Sequence, residues 1–199
     1  MSTSTADTLD TATTAEHQVP SRAASGEEAR LVARAVTGDE RALREIYRRH
    51  SGQVRTHLYR LLGDDSEVDD VLQTVFARAF NALDGFKGDA SLRTWLYRIT
   101  ANTTHNLLRK RYRRERVRQA FAGFVRATGP RVDGTRVEAR DEAARALRCI
   151  DPDLQEIFVL YHYEGLTLQE ISDILDRPIS TVGDRLTRAR KRLKKAVQV

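Results

Sequence analysis

Residues 166–195 read LTLQEISDILDRPISTVGDRLTRARKRLKK, a stretch that decides the fold because it predicts two short helices joined by a tight break. Thr167 and Glu170 form a capping-box pattern at the start of the first helix. The segment Asp176-Arg177-Pro178 interrupts the apolar periodicity, since proline lacks an amide donor and disfavours helix in the residue before it. The pattern is that of a helix-turn-helix, whose second helix lies in the major groove of DNA.

The second predicted helix has two unlike sides. An apolar stripe that packs on the first helix consists of Ile179, Val182, Leu186, Ala189 and Leu193. The opposite side is mainly cationic and consists of Thr181, Asp184, Arg185, Arg188, Lys191, Arg192 and Lys195. A solvated charged face is one interpretation of such a side. One-sided positive charge after a helix–break–helix pattern favours the other interpretation, which is contact with DNA.

The composition favours a helical protein with a polyanionic partner. The 199 residues carry a formal net charge of +6, which favours nucleic acid or an anionic membrane surface as partner. No apolar run is long enough to cross a bilayer, and the N-terminus lacks the order of a secretion signal. Cys149 is the single cysteine, which excludes a disulfide framework and a thiolate zinc cluster. We expect a cytoplasmic, helical protein without a cofactor or a metal.

The N-terminal part of the chain predicts helices that follow a polar tail. Residues 1–24 are rich in Thr, Ser and Ala and too polar to form a core, so we expect them to be disordered. Ser25 and Glu28 form a capping pattern for a short helix. Asp39 is predicted to cap the next helix, and Gly63 is predicted to stop it.

The strongest helix of this half starts near residue 64 and has a continuous apolar face. Its other face presents Asp69, Asp70, Gln73, Thr74 and Arg78. Acidic residues near the start of a helix complement the helix dipole, which is the structural interpretation of this face. Docking of a basic partner is the functional interpretation. Composition alone favours the structural one.

A glycine-punctuated loop, residues 84–89, precedes a helix predicted from Trp95 to about Tyr112, with Ser91 or Thr94 as its cap. The predicted buried side holds Leu96, Ile99, Thr103 and Leu107. The other side carries aromatic, amide and guanidinium groups, namely Trp95, Arg98, Asn102, His105, Asn106 and Arg109. Such groups suit stacking and hydrogen bonding with unpaired bases. An exposed polar helix with one half-buried tryptophan has the same pattern.

A domain boundary is predicted after this helix. A basic run, residues 109–116, fits either phosphate contact or the start of a linker. Beyond it, the pair Gly129-Pro130 disfavours regular secondary structure. Past a helix from about Val137, we expect Asp153 to cap the helix that precedes the helix-turn-helix. The predicted fold is all-α, with two small helical domains, a bundle and a helix-turn-helix, joined by a flexible linker.

Three long stretches, in this order, resemble the extracytoplasmic-function (ECF) group of bacterial sigma factors. VDDVLQTVFARAF, residues 68–80, resembles the acidic amphipathic helix of region two. FKGDASLRTWLYRITANTTHNLLRKRYRR, residues 86–114, resembles the loop and helix that engage the downstream promoter element. TLQEISDILDRPISTVGDRLTRARKRL, residues 167–193, resembles region four, which reads the upstream element. The resemblance implies a tail at 1–24, region two at 25–112, a linker at 113–136 and region four at 137–199.

The resemblance also implies partners and site residues, but no catalysis. Core RNA polymerase is implied as a partner through its β′ clamp helices and β flap, with contacts at Asp69, Asp70, Gln73 and Arg78. Promoter DNA is implied as the second partner. A flipped base would enter the loop at Phe86, Lys87, Asp89 and Ser91, flanked by Trp95, Arg98, Asn102, His105, Asn106 and Arg109. The upstream element would meet Ser180, Thr181, Asp184, Arg185 and Arg188, with Lys191 and Arg192 on the backbone. The third partner that the resemblance implies is an anti-sigma protein, which could hold the factor at the membrane.

The chain departs from the family at the recognition helix. Gly183-Asp184 stands where relatives commonly carry a Lys-Ser pair. An acid repels phosphates but accepts from the amine of cytosine, so we expect an altered upstream preference. Asp176 replaces a frequent glycine in the turn and tolerates left-handed geometry.

Two other functions compete with the sigma role. A self-sufficient DNA-binding regulator would need a sensing N-terminal domain, and the sequence has no signature of a ligand pocket there. A metal-dependent nuclease would use Asp64, Asp65, Asp69 and Asp70, although neighbouring acids on one helix do not converge on a metal ion.

Overall fold

The computed structural model describes residues 26–63, 65–128, 146–147 and 149–197. All regular elements in these ranges are helices: α1 (Gly26–Val36), α2 (Glu40–Leu62), α3 (Asp65–Asn81), a short 3₁₀ helix (Leu83–Gly85), α4 (Leu92–Thr128), α5 (Pro152–His162), α6 (Leu168–Leu175) and α7 (Ile179–Val197). The predicted all-α class is confirmed. The predicted disordered tail, the Ser25 cap and the linker from residue 129 onward lie outside the described residues.

Helix α2 begins and ends as the sequence predicts. The Asp39 side chain accepts hydrogen bonds from the backbone amides of Arg41 and Ala42, which satisfies two amides that an α-helix leaves without partners. At the other end Gly63 adopts a left-handed conformation with φ of 67° and donates to the carbonyl of Tyr59. Because only glycine takes this conformation without strain, the stop is local in origin.

Helices α1 to α4 pack around one apolar core. The predicted apolar face of α3 is confirmed, because its central side chains are all at most 5% exposed: Val68, Leu72, Val75, Phe76 and Ala79. Apolar residues that recur every three or four positions form one stripe, and burying that stripe stabilises both the helix and the bundle. This packing leaves the acidic side of α3 facing outward.

Helix α4 is much longer than predicted. It continues to Thr128, well past Tyr112, where we expected it to end. No proline follows until Pro130, and Glu115 pairs with Arg118 one turn later at 2.7 Å, which supports helix beyond the bundle. Ser91 is its cap, since the Ser91 hydroxyl accepts from the amide of Thr94.

The helix-turn-helix follows the prediction closely. Thr167 and Glu170 form the complete capping box at the start of α6, and Asp176 ends that helix in a left-handed conformation with φ of 50°. The prediction was wrong for α5, because its cap is Asp151 and not Asp153. Pro152 occupies the first turn, where no amide donor is needed, so the cap lies one residue before it.

The two halves pack against each other through α4. Tyr97 and Ala101 of α4 lie in the core that α5, α6 and α7 form, while Val159 of α5 joins the N-terminal core. This explains an error in the predicted buried side of α4, since Ile99, Thr103 and Leu107 are only partly buried. With neighbours on two sides, α4 buries instead a wider surface: Leu92, Thr94, Leu96, Tyr97, Thr100, Ala101, Thr104 and Leu108.

Candidate functional site

The acidic side of α3 is an exposed surface, and we call Asp69, Asp70, Gln73 and Arg78 the α3 face. Asp69 forms an ion pair with Arg55 of α2 at 3.2 Å, and Arg78 donates to the Thr103 hydroxyl at 3.3 Å. Since α3 begins at Asp65, Asp69 and Asp70 lie in its second turn, beyond the first turn where the helix dipole acts strongly. Both carboxylates are therefore exposed beyond the helix start, and Asp69 is held by an intramolecular ion pair.

Two aromatic rings meet where the loop joins α4, one from the loop and one from the first turn of the helix. Phe86 and Trp95 lie edge to face with 5.4 Å between ring centroids, and both are partly buried against the N-terminal core. Lys87 and Asp89 are exposed beside them. Two aromatic rings thus lie beside a lysine and an aspartate at the start of α4.

The structure divides the predicted outward side of α4. Asn102, Asn106 and Arg109 are exposed, as predicted. The Arg98 guanidinium instead donates to the backbone carbonyl of Asp173 in α6, and His105 Nδ1 lies 4.0 Å from a carboxylate oxygen of Asp153 in α5. Arg98 and His105 thus contact the C-terminal half of the same chain.

Helix α7 exposes most of the side that was predicted to be cationic. Ser180, Asp184, Arg188, Lys191 and Arg192 are exposed, and Thr181 is partly buried. Several of these side chains line a groove of about 1130 Å³ between α7 and the start of α5. Arg185 differs from them, because it donates to Asp153 at 2.8 Å and is about three-quarters buried.

The sequence analysis missed a buried polar cluster between the two halves. Glu164 follows α5, and its side chain is 6% exposed. The residues around it come from α2 and α4, and we call the set the Glu164 cluster: His57, Arg60, Arg93, Tyr97 and Glu164. One signal was available, since His57 falls on the apolar stripe of α2 between Val54 and Leu61.

Distances within the Glu164 cluster are short. Tyr97 donates its hydroxyl to Oε2 of Glu164 at 2.6 Å, and Arg60 donates to Oε1 at 2.7 Å. His57 Nδ1 lies 3.2 Å from Oε1, and Arg93 donates to the Glu164 backbone carbonyl at 2.7 Å. Burial alone would raise the pKa of Glu164, but the hydrogen bonds and charges of these neighbours hold that pKa at about 2. Glu164 is therefore ionised at neutral pH.

The structure also bears on metal binding and on membrane crossing. Among the residues that the structure describes, no three His, Cys, Asp or Glu side chains come together as a metal site would require. Within the same ranges, no helix combines the length and the apolar character needed to cross a membrane.

Comparison with protein families gives two matches along the chain. Residues 46–114 match the family model described as sigma-70 region 2, and residues 140–193 match the model described as sigma-70 region 4. The chain is 33% identical over 178 residues to the RNA polymerase sigma-H factor of Pseudomonas aeruginosa, covering 84% of this chain and 92% of that protein. It is 32% identical to the ECF RNA polymerase sigma-E factor of Escherichia coli, with 84% and 93% covered.

Solved structures resemble the fold as well. CnrH, solved in complex with the cytosolic domain of CnrY, is 30% identical with a TM-score of 0.61 over 84% of this chain and 95% of that one. The sigma factor RpoE of Bartonella quintana, solved with the anti-sigma factor NepR, has a TM-score of 0.59 at 22% identity over 78% and 96%. The second similarity concerns the fold alone.

Proposed function

This chain belongs to the extracytoplasmic-function group of the sigma-70 family of RNA polymerase sigma factors, and from that premise we propose how its surfaces divide the work of initiation. As a sigma factor it binds core RNA polymerase and directs promoter-specific initiation of transcription. It is a transcription factor and not an enzyme.

Core polymerase binds at the α3 face. Asp69, Asp70, Gln73 and Arg78 are exposed on one side of a helix whose other side is fixed in the core. A mainly acidic surface suits a basic partner because opposite charges attract across an interface. The helix backbone beneath it is already fixed in the core, so it needs no further ordering when the partner binds. The observation that carries this assignment is the position of Asp69 and Asp70 beyond the first helical turn.

The downstream promoter element binds at the loop of residues 86–91 and along α4. The Phe86 and Trp95 rings offer a stacking surface for an unpaired base, and Lys87 is positioned for the phosphate beside it. Asn102, Asn106 and Arg109 continue this surface along α4. Arg98 and His105 join it only when their contacts with the C-terminal half are released.

The upstream element binds at α7. Ser180, Thr181, Asp184, Arg185 and Arg188 read bases or nearby phosphates, and Lys191 and Arg192 hold the backbone. Asp184 is exposed among these cations, a position from which it can accept from a cytosine amine and repel a phosphate. It therefore sets an upstream preference different from that of a Lys-Ser pair.

The domain limits and the anti-sigma partner are also proposed from membership of this family. We assign the bundle of region two to residues 25–112 and region four to 137–199, after a tail at 1–24. Residues 113–136 connect the two regions, and the first part of this connection, residues 113–128, continues helix α4. We further propose that the factor acts in the cytoplasm and that an anti-sigma protein restrains it there or at the membrane. The relative CnrH, solved with a cytosolic domain, supports a partner of this kind.

Transcription in vitro tests the sigma role directly. Purified bacterial core polymerase is given fragmented DNA of the source genome, with and without the full-length protein, and start sites are mapped. Discrete new starts that need the protein are the expected result. No new starts, together with failure to co-elute with core polymerase, would leave a self-sufficient regulator as the better account.

A pair of variants tests the α3 face separately. Asp70→Asn removes one exposed charge from α3, and Glu40→Gln removes an exposed charge that α2 pairs with Arg44. We expect Asp70→Asn to weaken core binding in a co-elution titration by about fivefold, as loss of one interfacial charge pair does. Glu40→Gln should bind as the wild type does. Equal binding by both variants would contradict the assignment.

A further inference from the structure

The contact between the two halves is unusual in being both apolar and ionic. Tyr97 and Ala101 of α4 are at most 5% exposed within the C-terminal core, and Gln155 of α5 donates to the Leu61 carbonyl at the end of α2 at 2.9 Å. Glu164 brings a buried negative charge to the same contact. An apolar surface joined to a paired charge fixes one relative placement of the halves, because shifting them would leave the charge without partners.

Every partner of the Glu164 side chain in the cluster comes from the other half of the protein. His57 and Arg60 belong to α2, and Tyr97 belongs to α4. Arg93 of α4 adds a bond to the Glu164 backbone carbonyl. Separation of the halves therefore removes all of these bonds at once, while bonds within each half remain. The cluster stabilises the closed arrangement specifically rather than either half by itself.

The closed arrangement also occupies residues assigned to promoter contact. Arg98 is bonded to the carbonyl of Asp173 in α6, and His105 lies 4.0 Å from Asp153 in α5. Both side chains belong to the proposed downstream-element surface and face protein atoms of the C-terminal half. DNA would have to compete with these contacts at that surface.

We propose that the Glu164 cluster is an intramolecular latch that holds this protein in a closed, autoinhibited state. In the closed state region four covers part of the downstream-element surface of region two. Opening breaks the bonds to Glu164, releases Arg98 and His105, and uncovers the downstream-element surface of α4. The interdomain surface of α4 therefore binds the C-terminal half of the same chain. This proposal rests on the promoter-binding roles proposed above.

Opening can be measured on the full-length protein by the reactivity of an introduced thiol. In a Cys149→Ser background, Ala101→Cys places a thiol between the two halves, where a soluble disulfide reagent reaches it only after opening. Ala79→Cys places a thiol inside the N-terminal core, where Ala79 is 1% exposed, so it reports unfolding of that half. Local opening in the wild type predicts faster labelling of the first thiol than of the second.

The latch is tested by Glu164→Gln, which keeps the shape of the side chain and removes its charge. We expect it to raise the labelling rate of Ala101→Cys by about tenfold or more, because hydrogen bonds to a charged group are lost, and to leave that of Ala79→Cys unchanged. Glu45→Gln is the matched control, since Glu45 also binds two arginines, Arg48 and Arg49, but within α2. Tyr97→Phe, which removes one hydroxyl, gives a milder version should Glu164→Gln fail to fold.

Binding to core polymerase separates this proposal from the sigma assignment. With core polymerase at a saturating concentration, Glu164→Gln should give more transcript from the mapped start sites than the wild type, because opening makes the downstream-element surface available. Unchanged labelling, or equal acceleration at both thiols, would overturn the latch. Faster labelling without more transcript would overturn the autoinhibition. A wild type that does not bind core at all would instead remove the sigma assignment, whatever the thiols show.

Discussion

Raising the pH from about 4.5 to about 8 is expected to destabilise this protein through Glu156. This residue of α5 is 5% exposed, and its Oε1 atom, within the described part of the chain, accepts no hydrogen bond. Burial, and secondarily the charge of Asp153, raises the pKa of Glu156 to about 8. The folded protein therefore keeps a proton that the unfolded chain loses near pH 4.5. Because the unfolded state binds fewer protons, the free energy of unfolding falls as the pH rises between these two values.

The size of this change in the free energy of unfolding follows from a difference of one bound proton between the folded and unfolded states. A difference of one bound proton changes the free energy of unfolding by about 1.4 kcal/mol per pH unit, so the loss between about pH 6.5 and pH 8 is about 2 kcal/mol. The loss should level off above pH 8 as the carboxyl ionises in the folded state. Burial lowers the pKa values of His50 and His162, so the unfolded chain binds more protons at these two residues and their effect on stability has the opposite sign.

Urea denaturation followed by far-UV circular dichroism measures this effect at a series of pH values. Glu156→Gln, which has no proton to lose, should remove most of the slope and should be more stable than the wild type at alkaline pH. Glu45→Gln should keep the wild-type slope, because hydrogen bonds from Arg48 and Arg49 hold the pKa of Glu45 at about 2. A wild-type slope that persists in Glu156→Gln would refute the reasoning.

Three substitutions test the packing and the caps of the C-terminal half. Gly183→Ala should raise the free energy of unfolding by up to about 1 kcal/mol, because alanine is the better helix former and its Cβ would meet only Leu168, at 3.9 Å; a lower melting temperature would contradict this. Thr167→Ala should cost about 1 kcal/mol by breaking the capping box with Glu170, measured by urea denaturation, and an unchanged midpoint would refute it. Leu160→Ala should cost about 2–5 kcal/mol, because Leu160 is fully buried, and a loss below 1 kcal/mol in the same assay would show that the site collapses around the smaller side chain.

Most of the correct predictions came from sequence signals that lie within a few residues of each other. The Asp39 cap, the Gly63 stop, the capping box at Thr167 and the left-handed Asp176 depend on residues a few positions apart, and all four are confirmed. The apolar face of α3 is confirmed for the same reason, since its period is a property of one helix.

What the sequence did not predict depends on residues far apart in the chain. Glu164 and His57 meet across two helices, and no pattern in either segment indicates the other. The second buried side of α4 was missed because Tyr97 and Ala101 are buried only once the C-terminal half packs on them. The roles of the α3 face, the loop and α7 toward polymerase and promoter remain predictions, since each needs a partner to test it.

The placement of Tyr97 and Ala101 has a consequence for how the chain folds during synthesis. A ribosome makes α1 to α4 first, and these helices can assemble while the remainder is still being made. When α5 to α7 emerge, the surface that completes their core is already formed, because Tyr97 and Ala101 belong to the earlier half. The order of translation thus gives the helix-turn-helix a template on which to fold. A circular permutant that makes α5 to α7 first would lack that template, and its newly made chains should aggregate more than those of the natural order.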